Sequence, residues 1–179
     1  MANKNIRVAL VGTESLRGKE IKNVLSRNQS FVRDLEFYDS HVEKEFSKLT
    51  HFKDEPKVIH SLEKDFIVSN DLVFLAAEKS VNRELGLLAK KKKSFRAVDL
   101  SETFNNEEKI PIIVDGVNDK IIEKNKPILV ANPHPVTIIL SHFHHLILKE
   151  SKIVKSLSFV LQPISVYEDM GIKELADQS

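Results

Sequence analysis

Residues Ile6 to Val11 form an apolar run broken only by Arg7, and the run stops at Gly12. Apolar residues at successive rather than alternate positions suit a strand covered on both faces, as the strands of parallel sheets are. Past Gly18, the apolar residues Ile21, Val24 and Leu25 share one helical face, with Lys19, Glu20 and Lys22 outside it. The N-terminal segment therefore reads as strand, glycine-bounded turn and helix. Leu35 to Tyr38 reads as a second strand ending at Asp39-Ser40, which completes a βαβ unit.

The alternation continues along the chain. Val58 to His60 suits a short strand and Asp71 to Ala76 a longer one, followed by a helix in which Val81, Leu85, Leu88 and Ala89 share a face. Strands are expected at Phe95 to Val98, Ile112 to Val114 and Ile128 to Val130, with one or two helical turns at Asn118 to Lys124. From Val136 the residues Ile139, Leu140, Phe143, Leu146 and Ile147 mark an amphipathic helix, and Ile153 to Leu161 reads as a last strand. Residues 41 to 56 are charged and irregular, and are expected to form a surface excursion. The pattern predicts an α/β fold, a Rossmann-like doubly wound and mostly parallel sheet. Residues 1–150 form the expected dinucleotide-binding-type domain. Residues 151–179 are expected to be the start, or stump, of a second domain, with an edge available for association.

A chain of 179 residues is long enough for one well-buried domain. Its 27 basic and 26 acidic residues leave a net charge of +1, which provides no field for nucleic acid or for an anionic membrane. No apolar run approaches the roughly 20 residues that span a bilayer. Met1 to Asn5 lack the apolar core of a signal peptide, so the cytoplasm is the expected compartment. Cysteine is absent, which excludes disulfides, thiolate–metal sites and every cysteine-nucleophile mechanism.

Gly12-Thr13-Glu14-Ser15-Leu16-Arg17-Gly18 lies at the strand-to-helix turn where dinucleotide folds hold a pyrophosphate. Gly12, Thr13, Glu14, Ser15, Leu16 and Gly18 are the candidate phosphate-loop residues. The first and last glycines of a G-x-x-G-x-x-G pattern are present, but Ser15 stands at the middle one. Its side chain and the Glu14 carboxylate are both expected to weaken nucleotide binding. Asp39, with Ser40 beside it, ends the second strand, where an acid accepts a hydrogen bond from a ribose hydroxyl and repels a 2′-phosphate. NAD is therefore the expected dinucleotide over NADP, if one is bound.

The order of several segments resembles the aspartate-semialdehyde dehydrogenase family. The landmarks are Val8-Ala9-Leu10-Val11-Gly12, Val98-Asp99-Leu100-Ser101-Glu102-Thr103-Phe104, Ile110-Pro111-Ile112-Ile113-Val114, Val117-Asn118, Ala131-Asn132-Pro133 and Gln162. The resemblance implies an NAD(P)-binding domain in which Asn132 lies beside the cofactor. It also implies a cysteine just after the Asn-Pro segment, at the opening of a helix, whose thiolate attacks an aldehyde before hydride passes to NADP. Aligned on Ala131-Asn132-Pro133, that position here is Pro135, which has neither a nucleophilic atom nor a backbone N–H. Asn105 stands where the family carries an arginine that contacts phosphate or substrate. Leu75-Ala76-Ala77-Glu78 replaces a glycine-rich stretch, placing bulk and charge near the nicotinamide. The family's glutamine persists as Gln162, without a thioester to orient. The chain stops near the point where the family's second domain would begin.

Other chemistry finds little support. His142 and His145 are three apart and could share a helical face toward a metal, but no Asp or Glu lies nearby in that helix, and no metal site is expected. His134 has no recognisable acid/base partner. Lys90 to Lys93 complement a helix C-terminus. Ser101, Ser141 and Ser165 lack the Gly-x-Ser-x-Gly context of a hydrolase. The expected protein is a catalytically silent, semialdehyde-dehydrogenase-like module that binds or assembles, as a homodimer or with a full-length homologue. The alternative is an NAD(P)-dependent oxidoreductase acting on an aldehyde or oxo group, with residues supplied by another chain.

Overall fold

Strand β1 (Ile6–Val11) is buried along Val8, Ala9, Leu10 and Val11, none of which is accessible to solvent. Its side chains alternate between the faces of a sheet, so two separate cores form. Ala9 and Val11 join Val73, Leu75, Leu85, Ala89, Phe95 and Phe104 on one face. Leu10 joins Leu25, Phe37, Phe52 and Ile59 on the other. The computed structural model describes residues 5–28, 30–42 and 48–178.

The chain continues through α1 (Leu16–Arg27), β2 (Val32–Asp39), β3 (Lys48–Phe52), β4 (Glu55–Ser61), α2 (Lys64–Val68), β5 (Leu72–Leu75) and α3 (Lys79–Lys92). It then forms β6 (Arg96–Asp99), α4 (Lys120–Asn125), β7 (Leu129–Ala131), α5 (Pro135–Glu150), a 3-10 turn at Ile164–Tyr167 and α6 (Glu168–Asp177). The sheet runs β3-β4-β2-β1-β5-β6-β7, with every pairing parallel except β3 with β4. From β1 the chain turns to β2 on one side and later returns to β5 on the other. The C-terminal end of β1 is thus the point where the winding reverses, the place where open α/β sheets form a ligand crevice. The doubly wound, mostly parallel sheet expected from the sequence is present.

Three expectations about elements are corrected. Residues 41–56 are not an irregular excursion throughout: β3 and the start of β4 form an antiparallel hairpin, whose turn residues Lys53 and Asp54 both take left-handed φ, at 53° and 63°. Two such residues give the I′-type twist that suits a tight hairpin. Residues 43–47 of that stretch lie outside the described residues. Ile112 to Val114 is no strand, because only Ile112 bridges to Ala131. Ile153 to Leu161 makes no strand pairing and is irregular, with Leu157, Phe159 and Leu161 exposed.

Two compact units divide at residue 134, Met1–Pro133 and His134–Ser179. The division falls before α5, whereas the sequence reading keeps that helix with the first domain. The first unit holds the whole sheet and both cores. The second holds α5, the 3-10 turn and α6. Pro135 is the first residue of α5, where its missing N–H has no partner to lose, and His134 caps it, Nδ1 accepting from Val136 N at 3.2 Å. Among the described residues, no helix is long and apolar enough to cross a membrane.

Candidate functional site: the crevice at the end of the first strand

Gly12 turns the chain out of β1 with φ of 84° and packs directly on the backbone of Ala76 and Ala77, beyond β5. A Cβ there would meet that backbone. Gly18 lies equally close to the Gly12 carbonyl, so α1 begins immediately over the turn. Only glycine satisfies either position. Both glycines singled out from sequence are therefore explained by close approach within the protein itself.

The side chains between them are also engaged. Ser15 is the N-cap of α1, its Oγ accepting from Gly18 N at 2.9 Å. The same hydroxyl lies 2.8 Å from the carbonyls of Gly12 and Ala76, so its proton is shared between them. Thr13 is fully buried, with Oγ1 donating to Leu10 O and Tyr38 O and the side chain directed into the protein. The backbone N–H groups of Gly12 and Thr13 go to Tyr38 O, and that of Ser15 goes to Gly12 O. Leu16 opens the helix, half-buried.

Glu14 is held differently from what the sequence suggests. Its Oε1 accepts from Thr50 Oγ1 at 3.1 Å and from Lys22 Nζ at 3.4 Å, while Lys22 also donates to Thr50 at 2.6 Å. The carboxylate is drawn toward α1 and β3 and neutralised there rather than left facing a phosphate. Burial alone would push its pKa up. The Lys22 ammonium, the hydrogen bonds from Thr50 and Lys22, and the charge of Lys48 together outweigh burial and hold it below the ordinary value. A carboxyl lowered on folding adds stability above its unfolded pKa and loses it as pH falls through the folded value. Lys22→Met therefore gives a protein less stable at pH 7 by under about 1 kcal/mol, since the pair is partly exposed. The variant should also lose less stability than the parent between about pH 5 and pH 3. Urea midpoints across that range check it.

Asp39 ends β2 and is nearly buried, with Oδ1 accepting from His41 N at 3.1 Å, and Ser40 is exposed beside it. The next turn residue, His41, reaches over to Glu78, with Nε2 3.1 Å from Oε1. Glu78 is the N-cap residue of α3 yet does not cap it. The turn before α3 is held instead by the buried Asn82, whose Oδ1 accepts from Ala77 N and whose Nδ2 donates to Ala77 O.

The remaining sequence-marked residues lie elsewhere. Asn132 follows β7, three strands from β1 and so about 14 Å along the sheet by strand spacing. Its N–H donates to Asp99 O at 2.8 Å. Asp99, fully buried, accepts from Ser101 N, Ser101 Oγ and Phe104 N at 2.9, 2.6 and 3.0 Å. That clamp shapes the loop carrying Asn105, whose Oδ1 is buried and has no hydrogen-bond partner among the described residues. Gln162 is exposed within the irregular segment. His144 Nε2 lies 2.8 Å from Ser156 Oγ, and no cluster of three potential metal ligands occurs among the described residues. Sequence reasoning passed over Thr50 and His41, whose partners Glu14 and Glu78 are distant in sequence, and Lys22 and Asn82, whose roles depend on turns that the sequence does not mark.

The Asp39 carboxylate, at the strand end where dinucleotide folds place a ribose, is nearly buried and engaged with His41 N. At the phosphate end, Ser15 Oγ already takes the Gly18 N–H, and the amides of Gly12, Thr13 and Ser15 are bonded internally. The residues present do not fit a pyrophosphate.

Fold and crevice together define a dinucleotide-binding-type α/β domain. The family of the semialdehyde dehydrogenase NAD-binding domain matches residues 7–125, and the chain belongs to that family. Its fold is similar to aspartate semialdehyde dehydrogenase II from Vibrio cholerae, at 20% identity and TM-score 0.80, covering 98% of this chain and 52% of that one. A probable aspartate-semialdehyde dehydrogenase from Pseudomonas aeruginosa is similar at 20% identity and TM-score 0.78, with 98% and 52% covered. The Candida albicans enzyme, solved with NADP, is similar at 14% identity and TM-score 0.58, with 82% and 48% covered. The chain thus spans about half the length of these proteins. No curated protein matches the sequence.

Proposed function

We propose that this chain is a catalytically silent member of the semialdehyde dehydrogenase family, working as a binding or assembly module. The observation that carries the proposal is Pro135. It opens α5 as the first helical residue, at the position where the resemblance puts a cysteine nucleophile, and no other residue of the chain is a cysteine. Proline can neither attack a carbonyl nor hold an acyl group. Asn105 in place of an arginine supports the same reading. Asp39 would favour NAD over NADP, but Ser15 at the phosphate end keeps the unaltered crevice from holding either firmly. The cytoplasm is the compartment this reading assumes.

Assembly is proposed with a second copy or with a full-length relative. The exposed Leu157, Phe159 and Leu161 sit at alternate positions, the spacing at which a strand presents one apolar face. The test combines two measurements on the purified chain. With an aldehyde-bearing amino acid, phosphate and either dinucleotide, no reduced cofactor forms, and sedimentation gives the mass of a dimer. Turnover would replace this reading with that of an oxidoreductase completed by another chain. A monomer at high concentration that also fails to join a full-length relative would remove the assembly part.

A further inference from the structure

The crevice mouth is bridged by a contact that the proposed function leaves unused. Strands β2 and β5 flank β1, so their ends are two strand spacings apart, about 10 Å. His41, two residues beyond β2, and Glu78, three beyond β5, close that span with a 3.1 Å contact. Beneath it, Ser15 Oγ ties the glycine turn to Ala76, the residue just after β5. Glu78 occupies an N-cap position yet makes no cap, and the turn it sits on is already fixed by Asn82. The carboxylate is therefore not needed by its own helix, and the partner it has is across the mouth.

We propose that His41 and Glu78 form a removable strap across the dinucleotide crevice, an autoinhibitory contact that, with Ser15 below it, keeps the mouth shut. The proposal rests on the reading of this crevice as the nucleotide site of the fold. Both side chains are largely exposed, 76% and 63%. The contact is therefore one that opens readily, since exposed pairs hold their partners together only weakly. Ser15 substitutes for the anion, taking the Gly18 N–H that a phosphate oxygen would take, while the strap bars the approach.

Amide hydrogen exchange on the full chain, without ligand, tests the strap. In His41→Ala and in Glu78→Ala, exchange of the amides at positions 41 and 15, corrected for the intrinsic rate of the residue present, is expected to rise about two- to fivefold, the range available to one exposed pair. The double variant should rise no further than either single variant, because both remove the same contact. No change in either single variant, or simple additivity, would overturn the strap. Titration with NAD then tests what the strap excludes. His41→Ala/Ser15→Gly is expected to bind NAD about two- to fivefold more tightly than Ser15→Gly alone, so that the difference belongs to the strap. Glu78→Ala alone could gain affinity merely by losing a negative charge. His41→Ala loses a potential cation, so a gain there arises only from opening. If exchange rises as expected but the double opening variant shows no NAD binding at millimolar concentration, the strap stands as a contact, while the nucleotide reading and the autoinhibitory role both fall.

Discussion

Asp99→Ala lowers the stability of the chain by about 3–5 kcal/mol, because several buried donors lose their acceptor at once and each such loss costs roughly 1–3 kcal/mol. The carboxylate is fully buried at the C-terminal end of β6 and receives the Ser101 amide, the Ser101 hydroxyl and the Phe104 amide. The hydroxyl can turn to Thr103, 2.6 Å away, but among the described residues the two amides have no other acceptor. Phe104 itself is fully buried against Gly86 of α3, so loosening its backbone also loosens the packing of that helix on the sheet. For a chain of this size the loss corresponds to a fall in Tm of roughly 10 °C. Thermal and urea unfolding measure it. A loss below about 1 kcal/mol would show that the 99–105 loop is not held by this clamp.

Gly12→Ala is the second large effect, at least about 3 kcal/mol, the sum of a left-handed φ forced on a residue with a Cβ and of overpacking against rigid backbone. The clash is with Ala76 and Ala77 main chain, which cannot rotate away as a side chain would. Gly18→Ala has the same sign for a more telling reason. Within a helix, exchanging glycine for alanine ordinarily adds up to about 1 kcal/mol of stability. Here the new methyl would land on the Gly12 carbonyl, so the exchange destabilises instead. Urea midpoints of both variants, without nucleotide, check this. If the two glycines served only a phosphate, Gly18→Ala would fold at least as well as the parent.

The strand, the turn and the first helix were legible because β1 is buried on both faces, which leaves an uninterrupted apolar run, and because glycines bound the turn. The hairpin of β3 and β4 was not legible. Its turn is Lys53-Asp54, without the glycine that usually marks left-handed φ, and its solvent-facing residues, Lys48 and His51 among them, disguise the strand. Missing that hairpin hid Thr50, and with it the reason Glu14 does not face the crevice. Residues 153–161 failed in the opposite way. Alternating Leu157, Phe159 and Leu161 carry the strand pattern, but a strand needs a partner as well as a period, and no described residue pairs with them. Pro135 was fully legible, because its chemistry does not depend on where it is placed.

The glycines, the capped loop and Asp39 preserve the architecture of a dinucleotide domain. On the proposed reading, Pro135 stands where the family's nucleophile would be. The direct test of this account is a single-turnover measurement with the protein in excess over an aldehyde bearing an amino-acid carboxylate, with phosphate and NAD or NADP, followed by absorbance of the reduced cofactor. The account predicts no reduced cofactor above the uncatalysed background, for the chain alone and for the variant with an opened crevice. Stoichiometric cofactor reduction by the unaltered chain would contradict it.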